Sequence, residues 1–199
     1  MINAYAVGKS VYLRAPTSED ADGRWYEWFS DPDTTQYLGE RYWPNTRERQ
    51  KEFVAGLQRS TGSLVLSVVD KDTEQHIGVC SLGAISWVHR YADIAVVIGE
   101  TKFQNGQVAL EVVSLLLKTA FMRLNLRTVK GGYMASNRLT GSILKIFDFE
   151  EIGRYKELCF FKGEYVDLVC AQLTREKWLQ RNGEKAPSPD HEIAPADPR

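Results

Sequence analysis

Residues 92–134 read ADIAVVIGETKFQNGQVALEVVSLLLKTAFMRLNLRTVKGGYM, and the fold turns on how they are parsed. Residues 92–98 are apolar apart from Asp93 and have a strand pattern. From 108 to 124 the apolar residues Ala109, Val112, Val113, Leu116, Leu117, Ala120, Phe121 and Leu124 recur at helical spacing. So broad an apolar face predicts a helix buried against a sheet. Thr128–Met134 reads as another strand. Strand, long helix and strand make one right-handed β-α-β crossover. The turn Gln104-Asn-Gly-Gln-Val-Ala109 that opens the helix is then the expected functional point. A helix N-terminus following a strand binds anions through free backbone N–H groups and the helix dipole.

On the N-terminal side, Val11–Arg14 alternates as a short strand, and Thr17-Ser-Glu-Asp20 has capping-box spacing. Ala21, Trp25, Trp28 and Phe29 follow as one predicted helix, ended by Asp31-Pro32. Asn45 and Glu48 suit the start of a second helix, with Phe53 and Leu57 on its inner face. Residues 64–69 and 77–82 read as strands joined by a polar turn at 70–75. After the crossover come a short helix at 139–146 and closing strands at 149–155 and 165–173. Successive strands without intervening helices pair antiparallel. The predicted fold is therefore α/β of the α+β kind: a mixed, mostly antiparallel central sheet flanked by helices. One domain is expected over 1–182, its ordered part ending near Trp178. Residues 183–199 hold four of the seven prolines, no aromatic and one large aliphatic residue, Ile193, and read as a disordered tail.

The chain has 199 residues, with 25 basic and 26 acidic side chains and a net charge of −1, which argues against a nucleic-acid binder. Hydrophobic residues at 43% and charged ones at 26% are ordinary for a globular protein. Cys80, Cys159 and Cys170 form no CxxC, and with His76, His89 and His191 they make no metal-ligand spacing, so no metal is expected. Scattered cysteines fit reduced thiols in a cytoplasm. The first ten residues do not look like a signal peptide, and no apolar run approaches a membrane span, so no membrane partner is expected.

The crossover turn, with Glu111 after it, resembles the acetyl-CoA pyrophosphate loop of the GNAT superfamily of N-acetyltransferases, (Q/R)xxGx(G/A). Gln104 and Ala109 match its ends; Gln107 stands where the inner glycine is usual, and Gly106 comes one place early. The similarity extends over about residues 11–178. Leu13-Arg14, Glu19-Asp20, Asp31-Pro32, Tyr37-Leu38, Ile77-Gly78 and Arg90-Tyr-Ala-Asp93 resemble the Rim-type branch, the ribosomal-protein alanine acetyltransferases. So do Asn137 with Thr140, Phe149, and Gly163-Glu-Tyr-Val-Asp167, although Asp148 replaces a glycine.

The resemblance implies a V-shaped splay between the 92–98 and 128–134 strands, with acetyl-CoA as cosubstrate in the slot. Its pyrophosphate would rest on backbone N–H groups of Gln104, Asn105, Gly106, Gln107, Val108 and Ala109. Its pantetheine arm would meet Val96, Val97 and Ile98, and Asn137 would be a further contact or simply an N-cap. Gly131 and Gly132 mark either close backbone approach or a bulge. Asp93 is a candidate general base or a plain ion-pair partner. Thr140 and Ser142 are candidate acids for the leaving thiolate or back-bonded helix hydroxyls, since Leu144 occupies the position where many relatives carry a tyrosine. Trp87 and His89 would lie at the acceptor's entrance, though ordinary loop roles suit them as well. Trp25 and Trp28 suit a core, Cys159 and Cys170 read as buried apolar residues, and Asp167 suits a structural role.

The implied reaction is direct attack of a primary amine on the thioester. Neutralising a lysine-like amine at pH 7 costs about 4–5 kcal/mol, an α-amine only about 1 kcal/mol. That ranks an α-amine, on a protein N-terminus or a small molecule, above a polyamine. An amino-sugar acceptor, a catalytically degenerate acyl-CoA-binding protein and a homodimer all stay open.

Overall fold

The computed structural model describes residues 3–183 apart from residue 58; the tail expected at 183–199 lies, after Gly183, outside the described residues. Strands β1 (Ala4–Val7) and β2 (Val11–Arg14) form a hairpin, followed by helices α1 (Ser18–Asp22), α2 (Trp25–Ser30) and α3 (Arg47–Leu57). Strands β3 (Leu64–Asp70), β4 (His76–Ser86) and β5 (Tyr91–Ile98) come next, and helix α4 (Gln107–Lys118) crosses to β6 (Thr128–Met134). Helix α5 (Arg138–Ile146), β7 (Glu150–Phe161), β8 (Glu164–Thr174) and α6 (Arg175–Asn182) complete the domain. All eight strands form one sheet in the order β1-β2-β3-β4-β5-β6-β8-β7. Among the described residues only β5 and β6 pair parallel; every other neighbour is antiparallel. The mixed sheet and its single crossover agree with the sequence reading.

The main core lies between the sheet and α4, α5 and α6. Val112, Leu116, Leu117, Phe121, Leu126 and Val129 are fully buried there. The long apolar run does not stay α-helical: after Lys118 it passes through a π turn, Thr119–Arg123, which Leu124 N–H closes onto Thr119 O. On the other face a smaller cluster joins Trp25, Trp28, Val54 and Val79. The two tryptophans are core residues, as their spacing suggested.

Three local expectations need correcting. The first predicted helix is two, because Gly23 caps α1 by donating to Glu19 O at 2.9 Å and turns the chain before Trp25. In α3, Thr46 rather than Asn45 receives the first free N–H, from Arg49 at 3.1 Å. Its buried residues are Gln50 and Val54, while Phe53 stays half exposed, edge-on to Trp25. Cys159 and Cys170 are half-buried; Cys80 is the buried thiol.

A charged network underlies the small cluster. Arg14 grips Asp20 with two nitrogens at 2.6 and 2.8 Å, and Thr17 N–H and the Ser67 hydroxyl also donate to that carboxylate. Burial alone would raise the Asp20 carboxyl, but these donors and His76, 3.2 Å away, hold it down at about 2. His76 donates Nε2–H to Gly78 O and lies edge-on to Trp25 and Trp28.

Candidate active site

The sheet opens at its centre. β5 and β6 pair only at Tyr91–Thr128, Ala92–Val129 and Asp93–Lys130, and beyond that the strands diverge. Arg90 O accepts from β6-side N–H groups, and Gly99 N–H donates to Ile77 O on the β4 side. Alternation from either end therefore turns the backbone groups of Ile94, Val96 and Ile98 toward the open edge. Val97 is corrected here: its backbone faces β4, and it lines the opening with its side chain. A slot of about 400 Å³ fills the V. Its walls include Ile94, Ala95, Val96, Val97 and Ile98 on β5, Gly131, Gly132, Tyr133 and Met134 on β6, and Asn137, Thr140, Ile143 and Leu144 around α5. The register of β6 with β8 runs unbroken through Gly131 and Gly132, so the bulge alternative falls. A Cβ on Gly131 would stand 3.1 Å from Leu144, which explains that glycine by packing.

At the wide end of the V stands the N-terminus of α4. Gly106 is its N-cap, with φ +82°, a left-handed conformation that suits glycine. The early glycine is thus the one the turn requires, and Gln107 begins the helix. Asn105 Oδ1 accepts from Gln107 N–H at 3.1 Å, and Leu110 N–H reaches Gly106 O. The N–H groups of Val108 and Ala109 lie in the first turn, where a helix offers no internal acceptor. Gln104 Nε2 donates to Ile98 O at 2.8 Å and ties the loop to the slot's edge. Glu111, on the second turn, accepts from Ser10 N–H and its hydroxyl, which fixes α4 to the β1–β2 turn.

Asn137 caps α5 by accepting from Thr140 N–H at 3.1 Å, and it also lines the slot. Thr140 lines the slot as well; Ser142 is exposed and stands outside the lining. Asp93 pairs with Lys130 at 3.3 Å at the closed vertex, half exposed and outside the lining of the slot. Trp87 and His89 are exposed in the β4–β5 turn, at the closed end rather than the open one. Asp167 accepts from Glu157 N–H and serves the β7–β8 hairpin. Asp148 takes φ +59°, a left-handed conformation that a glycine there would adopt without strain, and pairs with Arg181 at 2.6 Å.

Sequence reasoning missed two phenols and a strap. Tyr133 lines the slot with its ring against Gly141; the available signal was that it shares the Gly131 face of β6. The strap includes Asp33, Thr34, Gln36, Tyr37 and Leu38, which also line the slot. Tyr37 donates to Ser136 O and stacks on Phe161 at 5.0 Å.

A second cavity, of about 560 Å³, lies on the opposite face of β5. Trp25, Phe29, Trp43 and Phe53 wall it, and Val79, Ser81, Ala95 and Val97 floor it. Leu38, Ala95 and Val97 line both cavities. Glu100, itself buried, accepts from Trp28 Nε1 at 3.1 Å and from Arg24, which fixes α2 against the end of β5. Burial pushes the Cys80 thiol of this cavity far up, so it is no thiolate nucleophile.

Residues 10–150 match the family model described as acetyltransferase (GNAT) domain. The chain belongs to the GNAT acetyltransferase family. It is a GNAT-type N-acetyltransferase. It is 24% identical over 168 residues to the uncharacterized N-acetyltransferase p20 of Bacillus licheniformis, covering 83% of this chain and 93% of that one. A spermidine N-acetyltransferase from Vibrio cholerae, solved in complex with CoA and spermine, superposes with a TM-score of 0.79 at 20% identity over 85% of this chain and 98% of that one. A GNAT-family acetyltransferase from Bacillus anthracis gives 0.73 at 18% identity over 86% and 98%. These structural likenesses support the GNAT fold, whose similarity is not confined to the Rim-type branch.

Proposed function

We propose that this GNAT enzyme transfers an acetyl group from acetyl-CoA to the primary amine of a small molecule or a protein N-terminus by direct attack. The carrying observation is that β5 and β6 part beside an open helix N-terminus capped by left-handed Gly106. Acetyl-CoA supplies the activated acetyl group. The slot suits it: backbone groups of Ile94 and Val96 turned to the open edge can hydrogen-bond a pantetheine amide arm beside Ile98, whose carbonyl Gln104 already holds, and Asn137 lines the same slot. First-turn N–H groups of Val108 and Ala109, with Gly106 beside them, suit a pyrophosphate. N–H groups on the same open edge can stabilise the developing oxyanion without side-chain chemistry.

The acceptor reaches β5 from the aromatic cavity, and the shared wall of Leu38, Ala95 and Val97 is where the two reactants would meet. Among the described residues the slot lining carries no buried carboxylate to act as base, and Asp33 at its rim is exposed. That favours an amine whose neutral form is cheap near pH 7, an α-amine, over a polyamine. The Rim-type likeness of the chain's opening and ending leans the same way. The leaving thiolate is protonated by Thr140, by Tyr133 or by water. Free cysteines fit a cytoplasmic enzyme.

Leu144 in the slot, where a hydroxyl would be useful, favours a second reading as an acyl-CoA-binding protein without turnover. Calorimetric titration with CoA and thiol release from acetyl-CoA against an amine panel decide between them. Binding with turnover supports the enzyme, binding alone supports the second reading, and no binding removes both.

A further inference from the structure

One polar group in the aromatic cavity lacks a hydrogen-bond partner among the described residues. Gln50 is 5% exposed, lines the cavity, and its buried Nε2 has no hydrogen-bond partner among the described residues. Buried amide donors are nearly always paired, so an unpaired one inside a cavity points to an acceptor atom brought by a ligand. The walls around it are aromatic: Trp25, Phe29, Trp43 and Phe53. The only charged side chain among the described lining residues is that of Arg49, which donates to Pro44 O. No carboxylate lines the cavity among those residues, so a polycation would enter without a counter-charge. A volume of about 560 Å³ holds one ring-bearing residue, not an extended polymer.

We infer that this cavity selects an aromatic α-amine of the amino-acid-amide type: a primary amine beside a carbonyl, carried on an aromatic side chain. The ring lies against the tryptophan and phenylalanine walls. The carbonyl oxygen accepts from Gln50 Nε2. The amine faces Ala95, whose small side chain leaves β5 open to the slot. The inference rests on the acetyltransferase reading and narrows its acceptor. It also separates this chain from the spermidine enzyme it resembles in fold. The same chemistry is offered by a free amino-acid amide and by a peptide that begins with an aromatic residue.

The experiment uses the full chain with acetyl-CoA and four acceptors: phenylalaninamide, phenethylamine, spermidine and a hexapeptide beginning with phenylalanine. Phenylalaninamide should be used at least about tenfold better, as kcat/KM, than phenethylamine or spermidine. Gln50→Leu removes the donor but keeps the volume. It should raise KM for phenylalaninamide about tenfold while leaving phenethylamine, which has no carbonyl, unchanged. Gln50→Glu should move preference toward spermidine. A preference of the native chain for spermidine, or a Gln50→Leu effect equal on both aromatic amines, overturns the inference. Binding is also read without acetyl-CoA, from the fluorescence of Trp25 and Trp43. Phenylalaninamide that binds but is never acetylated upholds the cavity assignment and sinks the acetyltransferase reading. Spermidine turnover without phenylalaninamide binding does the reverse. A hexapeptide faster than the amide identifies the source as a protein N-terminus, and a slower one identifies a free metabolite.

Discussion

The slot beside α4 and the aromatic cavity against α2 and α3 share the strand β5, yet different parts of the chain build them. The slot offers backbone: the open edges of β5 and β6 and the first turn of α4. The cavity offers side chains: among the described residues, four aromatic rings and a Gln50 Nε2 without a hydrogen-bond partner. Backbone groups are the same in any sequence that keeps the fold, so a site made of them is kept wherever the fold is kept. A site made of side chains is not, and it is where relatives of one fold come to differ. The cavity also rests on a buried charged network, Arg14, Asp20, Ser67 and His76, whereas the slot rests on the apolar core.

The largest expected effect tests that asymmetry. Asp20→Asn leaves the Arg14 guanidinium half-buried without its carboxylate, and should cost about 3 kcal/mol, or roughly 6–12 °C in Tm for a domain of this size. The carboxyl sits at about 2 in the fold against an ordinary value of 3.8. Its stabilisation, about 2 kcal/mol, is therefore fully present above pH 4 and is lost as pH falls through 2. In the variant, Tm should flatten across that acid window; an unchanged Tm profile would show that the network carries no stability. CoA affinity of the folded fraction should hold, because the network packs through His76 against Trp25 and Trp28, on the side of the cavity rather than the slot.

A smaller effect belongs to the slot. Gly106→Val puts a β-branched residue at φ +82°, strained by about 1–3 kcal/mol. Space is not the issue, since an added Cβ would meet only Leu139, at 3.9 Å. CoA affinity should fall about tenfold, equivalent to about 1.4 kcal/mol, while binding of an aromatic amine in the cavity stays the same. Loss of both would mean that the two sites are not separable. The smallest effect is at Asp93. Its pair with Lys130 is half exposed, so Asp93→Asn should cost under about 1 kcal/mol and leave kcat within about twofold. A loss of about a hundredfold, with an acidic limb missing from the pH profile, would reinstate the carboxylate as the general base.

The crossover was legible because its apolar spacing is long and regular, and Thr128–Met134 was read to the residue. Strand β1 was not, since four residues with a register shift against β2 leave little pattern. Helix α6 was missed because only Trp178 and Leu179 on it are buried. In the site, alternation on β5 correctly set Asp93 on the face of Ala95 and Val97. It could not reveal that Lys130 stands opposite, because register between strands separated by a helix is not written in either one. Gln50 was invisible for a related reason: it takes an inner position of α3, and a polar residue on a buried face declares itself only when its missing partner is counted.

The divergence of β5 and β6 has a consequence for aggregation. An unpaired strand edge is a template for strand addition, and this sheet has two such edges at its centre. A strand needs about 4.8 Å to each neighbour and room for side chains above and below. Near Asp93 the V is too narrow for that. Further out, Val113 and Ile143 line one side of the opening, and Tyr37 and Leu38 of the strap cross the other. The opening is therefore lined by side chains where an added strand would need free backbone edges. The residues that line the slot thus also keep the middle of the sheet from recruiting a second protein.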